Sequence, residues 1–156
     1  MDQLRRTFLK GAGAAGTVAV AVAAGLLKPS QVLAAEWNKA AFEARSVTDA
    51  LKDIGAASPA ESKDILIKAP DIAENGAVVP VEVTSKIAGT QSIIIMAEKN
   101  NNPMVADFEL ANGAEGYVST RIKLANTSPV RVVVKAGGKT YTASKEVKVT
   151  IGGCGG

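Results

Sequence analysis

The chain has 156 residues, of which 18 are basic and 15 are acidic, and it contains one cysteine, six aromatic residues and no histidine. All of the excess positive charge lies in the first 34 residues, because residues 35–156 carry 14 basic and 14 acidic side chains. A neutral chain with so few aromatic residues offers no basic stacking surface, so no nucleic-acid binding is expected. The lack of histidine excludes Cys-His and Ser-His nucleophilic pairs, and the carboxylates are scattered singly, so neither a metal site nor a cofactor is expected.

The first 34 residues have the features of an export signal. Arg5 and Arg6 stand side by side, a long run of small and apolar residues follows, and small residues precede a cleavage position after Ala34, with Ala35 as the alternative. The paired arginines predict export of the folded protein by the twin-arginine route, and therefore a periplasmic location. Leu4 departs from that motif, which usually has Ser or Thr at this position.

A membrane anchor is the alternative interpretation of this apolar run, because the run is nearly long enough to span a bilayer. Its hydrophobicity is weak, since Ala and Gly dominate it, and a cleavage pattern follows it. The sequence therefore favours a cleaved signal peptide over residues 1–34 and no stable membrane anchor. A folded domain is predicted over residues 35–151 and a short C-terminal arm over residues 152–156.

The folded domain begins with a predicted helix. In the stretch AEWNKAAFEARSVTDALKDIGA, residues 35–56, apolar side chains recur at three- and four-residue spacing, and Gly55 ends the pattern. Such a stripe packs on its own domain or, in part, on a partner chain. The recurring residues are Trp37, Ala40, Ala44, Val47, Leu51 and Ile54.

After Pro59 the sequence has the period of β-strands. Seven runs rich in Val, Ile and Thr are separated by turn residues, and several of them alternate apolar and polar side chains. Seven strands without an intervening helix predict a mainly β fold: an immunoglobulin-like antiparallel β-sandwich with an N-terminal helix and a flexible C-terminal arm. The runs span residues 64–69, 78–85, 92–99, 104–110, 117–124, 130–136 and 141–151.

Three segments depart from simple alternation. Pro80 has no backbone N–H to donate, which demotes part of its strand to an edge or a bulge. The segment APDIAENGA, residues 69–77, has turn chemistry centred on Asn75 and Gly76. The run Ile93–Met96 is apolar on both faces, which places it either centrally under the helix or beneath another subunit.

The chain ends in IGGCGG, where the single cysteine, Cys154, stands between two pairs of glycines. No cation or base adjoins Cys154 in sequence, and the C-terminal carboxylate disfavours its thiolate, so no catalytic role is expected. Three residues beyond Ile151 place the thiol about 10 Å from the end of the sheet, on a thin glycine tether. This is the arrangement of a swinging-arm carrier whose cargo other enzymes process. The glycines of the arm are Gly152, Gly153, Gly155 and Gly156.

A signal with paired arginines, a leading helix, a histidine-free β-sandwich and the terminal GGCGG together resemble the SoxY family. Members of this family are the sulfur carriers of the periplasmic Sox thiosulfate-oxidising system. The resemblance covers the whole chain, and the terminal pentapeptide is its most specific element. It implies that Cys154 is the covalent attachment site of the sulfur substrate, and that the protein is a carrier loaded by enzymes and not itself an enzyme.

The resemblance also implies a set of partners. A SoxY-type carrier forms a heterodimer with SoxZ, a second small β-sandwich. SoxXA, a haem protein, would join thiosulfate oxidatively to the thiol as a cysteine S-thiosulfonate, and SoxB, a manganese hydrolase, would release sulfate. A sulfane dehydrogenase of the SoxCD type would oxidise the remaining sulfur.

A second class of function is an exported structural module of immunoglobulin type whose terminal Cys154 only forms disulfide-linked dimers. A substitution of Cys154 by Ser separates the two classes, because a carrier would lose turnover while a structural module would lose only its dimer. A ubiquitin-like carrier, activated at the terminal carboxylate, is disfavoured because that activation needs ATP, which an exported protein does not meet.

Overall fold

The computed structural model describes residues 38–111 and 113–152 of the chain. The predicted signal peptide, with Arg5, Arg6 and both possible cleavage positions, lies outside the described residues. None of the helices in the described part of the chain combines the length and the hydropathy of a membrane span.

Two short helices stand where the sequence predicts one: α1, Lys39–Glu43, and α2, Val47–Asp53. The chain becomes extended at Ala44, with φ −55° and ψ 139°. Helix α2 begins directly after Ser46, and the hydroxyl oxygen of Ser46 accepts a hydrogen bond from the backbone N–H of Asp49 at 3.1 Å. A serine in this role begins a new helix because it satisfies an N–H that has no partner within the helix. The predicted N-terminal helical segment is therefore confirmed, but it is divided into two short helices, and Gly55, at φ +71°, ends the second one as expected.

Nine strands follow in residues 60–151 of the described chain, and they include all seven of the predicted runs. One sheet has the strand order β1-β9-β8-β5-β6, with β3 also paired to β9, and the other has the order β2-β4-β7. This arrangement confirms a mainly β fold of two sheets. The strands are β1 Ala60–Glu61, β2 Ile65–Lys68, β3 Ile72–Asn75, β4 Val79–Ser85, β5 Thr90–Ala97, β6 Met104–Glu109, β7 Tyr117–Ile122, β8 Ser128–Ala136 and β9 Lys139–Ile151.

The two strands that the sequence did not predict, β1 and β3, both pair in parallel with β9. The other strand pairs are antiparallel, so the predicted antiparallel arrangement holds for them alone. Residues 69–77 are therefore not only a turn, because Ile72–Asn75 forms a strand before the chain turns at Gly76. Only Ala73 of these four residues is buried, so the strand shows no apolar alternation in the sequence.

Strand β5 is the centre of the packing. Its neighbours on either side are β8 and β6, and all four side chains of the run Ile93–Met96 are fully buried. Ile93 and Ile95 pack in the core between the sheets, while Ile94 and Met96 pack beneath α1 and α2. The prediction of a central strand under the helix is confirmed, and the alternative of a covering subunit is wrong. The cluster beneath the helices comprises Ala41, Ala50, Ile54, Ala56, Ile94, Met96, Met104 and Val133.

Pro80 lies in β4, which is the middle strand of its sheet. On one side β2 pairs only with residues Glu82–Ser85, whereas on the other side Pro80 stands opposite Arg121 of β7. The strand as a whole is thus central, but the part that contains Pro80 has a paired neighbour on one side only. That local edge agrees with the prediction and with the missing N–H of proline.

Candidate functional site

The predicted carrier arm leaves the domain at the end of β9. Ile151 is the last residue of the strand, and Gly152 is the last described residue. Gly153, Cys154, Gly155 and Gly156 lie outside the described residues, so the roles assigned to them from the sequence stay predictions. The structure does show how the chain is held immediately before them.

The last residues of β9 pair with a different strand from the rest of β9. Antiparallel pairing with β8 ends where Val147 stands opposite Ser128, because β8 begins there. From Lys148 to Ile151 the partner is β3, which runs parallel to β9. The short strand β3 therefore extends the support of β9 up to the point where the arm begins.

Backbone hydrogen bonds tie this end of β9 to the rest of the sandwich. The N–H of Gly76 donates to the carbonyl oxygen of Ile151 at 2.8 Å, and the N–H of Leu124 donates to the carbonyl oxygen of Gly76 at 2.8 Å. Gly152 lies directly against the backbone carbonyl oxygen of Ala125. We call these five residues, Gly76, Leu124, Ala125, Ile151 and Gly152, the arm root.

Side-chain hydroxyls add further support on both sides of β9. The backbone N–H of Val149 donates to Thr127 Oγ1 at 2.9 Å, and Thr150 Oγ1 donates to the carbonyl oxygen of Glu74 at 2.8 Å. These bonds join the last residues of β9 to the loop before β8 and to β3. The strand that carries the arm is consequently fixed by contacts from three separate segments.

Exposed apolar side chains occur on the segments that hold the end of β9, with Ile72 opposite Lys148 and therefore on the other face of the sheet from Ile151. Ile72 is 60% exposed, Val78 is 57% exposed and Ile151 is 69% exposed, and they belong to β3, to the turn after it and to β9. Elsewhere in the described part of the chain, the large hydrophobic side chains with comparable exposure are Leu66 and Tyr117. Exposed apolar side chains beside a functional segment are typical of protein-contact surfaces.

A separate cleft of about 500 Å³ opens beside β1. Two of its polar side chains are engaged in the fold: Arg131 Nε donates to Glu98 Oε1 at 2.7 Å, and Thr142 Oγ1 donates to the carbonyl oxygen of Val132 at 2.9 Å. The cleft adjoins the middle of β9 and not its end. It is lined by Glu61, Ser62, Lys63, Arg131, Thr142, Ala143 and Ser144.

One carboxyl group in the described residues has a shifted pKa. Burial raises the pKa of Asp107 above its usual value, and the nearby Glu109 carboxylate adds to the rise, while Lys135 and Ser92 oppose it. Ser92 Oγ and Asp107 Oδ1 are buried and form no hydrogen bond of good geometry. Asp107 lies on β6, three strands away from β9 in the sheet, so it is not part of the arm root.

A metal centre is not formed by the part of the chain that the structure describes, where no three Asp, Glu, Cys or His side chains converge. Sequence reasoning missed the residues that hold the arm root. The Asn100 side chain bonds to the segment before Ala125, but the sequence shows this asparagine only as part of a turn. No one-dimensional pattern signals such contacts, because they join segments that are far apart in the chain.

The sequence matches the family described as sulfur oxidation protein SoxY over residues 51–154. The chain belongs to the SoxY family. Among solved structures, the sulfur carrier protein SoxY from Chlorobium limicola f thiosulfatophilum is 46% identical, with a TM-score of 0.62, and the match covers 70% of this chain and 96% of that chain. The family and this relative are sulfur carriers, which assigns the chain to sulfur oxidation.

More distant likeness adds nothing about function. The superoxide reductase (neelaredoxin) from Ignicoccus hospitalis is 21% identical, with a TM-score of 0.49, and the match covers 55% of this chain and 79% of that chain. At that identity a likeness concerns folds alone, and this one supports no conclusion about chemistry. A search of curated proteins finds no match.

Proposed function

We propose that this SoxY-family chain is a covalent carrier that holds sulfur intermediates on the thiol of Cys154 and presents them to partner enzymes. The observation that supports the proposal is the position of the only cysteine, three residues after a strand whose end is fixed by β3, Gly76 and Leu124. A thiol on a short tether beyond a rigid domain reaches into the active sites of other proteins, while the domain itself supplies no catalytic groups to it.

Loading and unloading of the carrier follow a balanced cycle. The thiol of Cys154 and thiosulfate lose two electrons and one proton to form a cysteine S-thiosulfonate, and we assign the electron acceptor to SoxXA. Water then cleaves the outer sulfonate as sulfate, a hydrolysis assigned to SoxB, which leaves a persulfide on the cysteine. Where a sulfane dehydrogenase of the SoxCD type is present, it would oxidise the persulfide to an S-sulfonate with three oxygen atoms from water, and six electrons would pass to the dehydrogenase and its electron acceptor. A second hydrolysis would release sulfate and restore the thiol.

The proposal includes a heterodimer with SoxZ and a periplasmic location. The paired Arg5 and Arg6 support export by the twin-arginine route, which transports folded proteins. A partner without its own signal would cross the membrane together with the folded carrier. The exposed apolar side chains of Val78 and Ile151, on segments that form or adjoin the arm root, support contacts with partner proteins at this end of the sandwich.

The test is the intact mass of the protein isolated from cells that grow on thiosulfate, measured before and after treatment with a reductant. We expect reducible additions of sulfur and sulfonate that map to the C-terminal peptide with Cys154. The Cys154→Ser variant is the control, and it should show no addition while its circular dichroism spectrum stays unchanged. A bare mass, or a reducible dimer without any sulfur addition, would favour the structural module that forms disulfide-linked dimers.

A further inference from the structure

The first glycine of the arm, Gly152, packs closely against the backbone of a distant segment. A Cβ atom built on Gly152 falls on the backbone carbonyl oxygen of Ala125, well inside the 3.0 Å separation below which a neighbour must shift. The obstacle is backbone, which cannot rotate away as a long side chain does. The φ of Gly152 does not lie in the left-handed region, so the need for glycine at this position comes from close packing and not from an unusual backbone conformation.

The segment that leads to the Ala125 carbonyl, Lys123–Ala125, is held by a side chain. Asn100 Nδ2 donates to the carbonyl oxygen of Lys123 at 2.8 Å, and the N–H of Ala125 donates to Asn100 Oδ1 at 2.9 Å. One side chain thus bridges both sides of Leu124, whose N–H is bonded to Gly76. The surface against which Gly152 packs is therefore rigid.

We propose that Gly152 is the fixed pivot of the arm and that Asn100 is a positioning residue that sets the direction in which the arm leaves the domain. On this view the free tether begins at Gly153. The reach of the Cys154 thiol is then two residues, or about 7 Å, instead of the three residues counted from Ile151. The proposal concerns placement of the arm and does not rest on which compound the thiol carries.

A methyl group at Gly152 should push the chain away from Ala125 and change the exit direction. The same methyl group at Gly153 adds an equal restriction to the tether but lies one residue beyond the contact, so the Gly153→Ala variant is the matched control. The Asn100→Ala variant tests the support for the Ala125 carbonyl without altering the tether at all.

Cys154 is the only cysteine, so a nitroxide attached to it reports the arm position directly. A second nitroxide goes on an introduced cysteine at an exposed strand position, Lys139→Cys in β9 or, separately, Ser119→Cys in β7. Pulsed dipolar spectroscopy on the full chain then measures the distance distribution for each pair. No sulfur substrate is needed, so failure of this test is distinguishable from failure of the carrier proposal.

We expect Gly152→Ala to move the main distance by about 3 Å, close to the length of one residue, in at least one of the two pairs. Asn100→Ala should change this distance with the same sign, whereas Gly153→Ala should leave the distance unchanged. An unchanged distance in Gly152→Ala, or equal shifts in Gly152→Ala and Gly153→Ala, would overturn the pivot. An unchanged distance in Asn100→Ala would overturn the positioning role of that side chain.

Discussion

Asn100 should also contribute measurably to the stability of the domain. The Asn100→Ala substitution removes two hydrogen bonds, one donated to the carbonyl oxygen of Lys123 at 2.8 Å and one accepted from the N–H of Ala125 at 2.9 Å. A hydrogen bond of this kind contributes about 0.5–1.5 kcal/mol net. The Lys123 bond is exposed, so water replaces it in part, whereas the Ala125 N–H is partly buried and loses more. The expected loss is therefore about 1–2 kcal/mol in the free energy of unfolding.

Thermal and urea unfolding measure this loss. For a domain of this size, about 1–2 kcal/mol lowers Tm by roughly 3–10 °C. Asn101→Ala is the matched control, because Asn101 is the adjacent residue of the same type and is exposed, and it should change stability by less than about 0.5 kcal/mol. Equal Tm values for the Asn100→Ala and Asn101→Ala variants would refute the bridge.

Two further predictions concern groups away from the arm. Because the pKa of Asp107 is raised by burial and by Glu109, the wild-type domain should lose stability as pH rises from the unfolded-state value of about 3.9 through the raised folded-state value. Asp107→Asn should therefore raise the urea midpoint at pH 7 but not at pH 3; an equal gain at both would contradict the charge argument. Ile94→Ala, under the helices, should lower the free energy of unfolding by about 2–5 kcal/mol, and Leu66→Ala, at an exposed site, by less than about 1 kcal/mol. Similar urea midpoints for the Ile94 and Leu66 variants would contradict the burial.

The sequence was sufficient to predict the main strands because their apolar positions repeat regularly or run continuously. The run Ile93–Met96 illustrates this, since apolar side chains on both faces required cover on both faces. Two kinds of cover were compatible with the sequence, a helix of the same chain or a second subunit. Periodicity records that a residue is buried and not what buries it, so only the structure could identify α1 and α2 as the cover.

The strands that the sequence did not predict are short, and their pairing is non-local. In β3 only Ala73 is buried, and the residues of the strand pair with β9 more than 70 positions later in the chain. The Asn75-Gly76 pair has real turn chemistry, since Asn75 Oδ1 accepts the N–H of Ala77 at 2.8 Å, but that turn begins only after the strand has ended. The Asn75-Gly76 pair therefore predicted the turn correctly, but it gave no indication of strand β3 before the turn.

The candidate site shows the same division between local and non-local information. The glycines around Cys154 are visible in the sequence and suggest a uniform tether. The structure gives Gly152 a packing requirement, because a distant backbone carbonyl, that of Ala125, lies where its Cβ would be. Glycine meets a requirement for close packing as well as one for flexibility, so the sequence alone does not distinguish the two.

A short tether on a fixed root constrains how any partner enzyme can act on the carrier. If Gly152 is the pivot, as proposed, the two residues from Gly152 to Cys154 span about 7 Å, so the thiol would reach a catalytic centre only when the partner approaches the end of the sandwich itself. Each partner in the proposed cycle must therefore contact the same surface in turn, which includes the exposed side chains of Val78 and Ile151. Sequential contacts of this kind require weak binding, and a small apolar surface of two or three side chains is suited to transient complexes. Rigid placement of the root then compensates for the weak binding, because an arm that already points toward the partner loses less conformational entropy when it enters the active site.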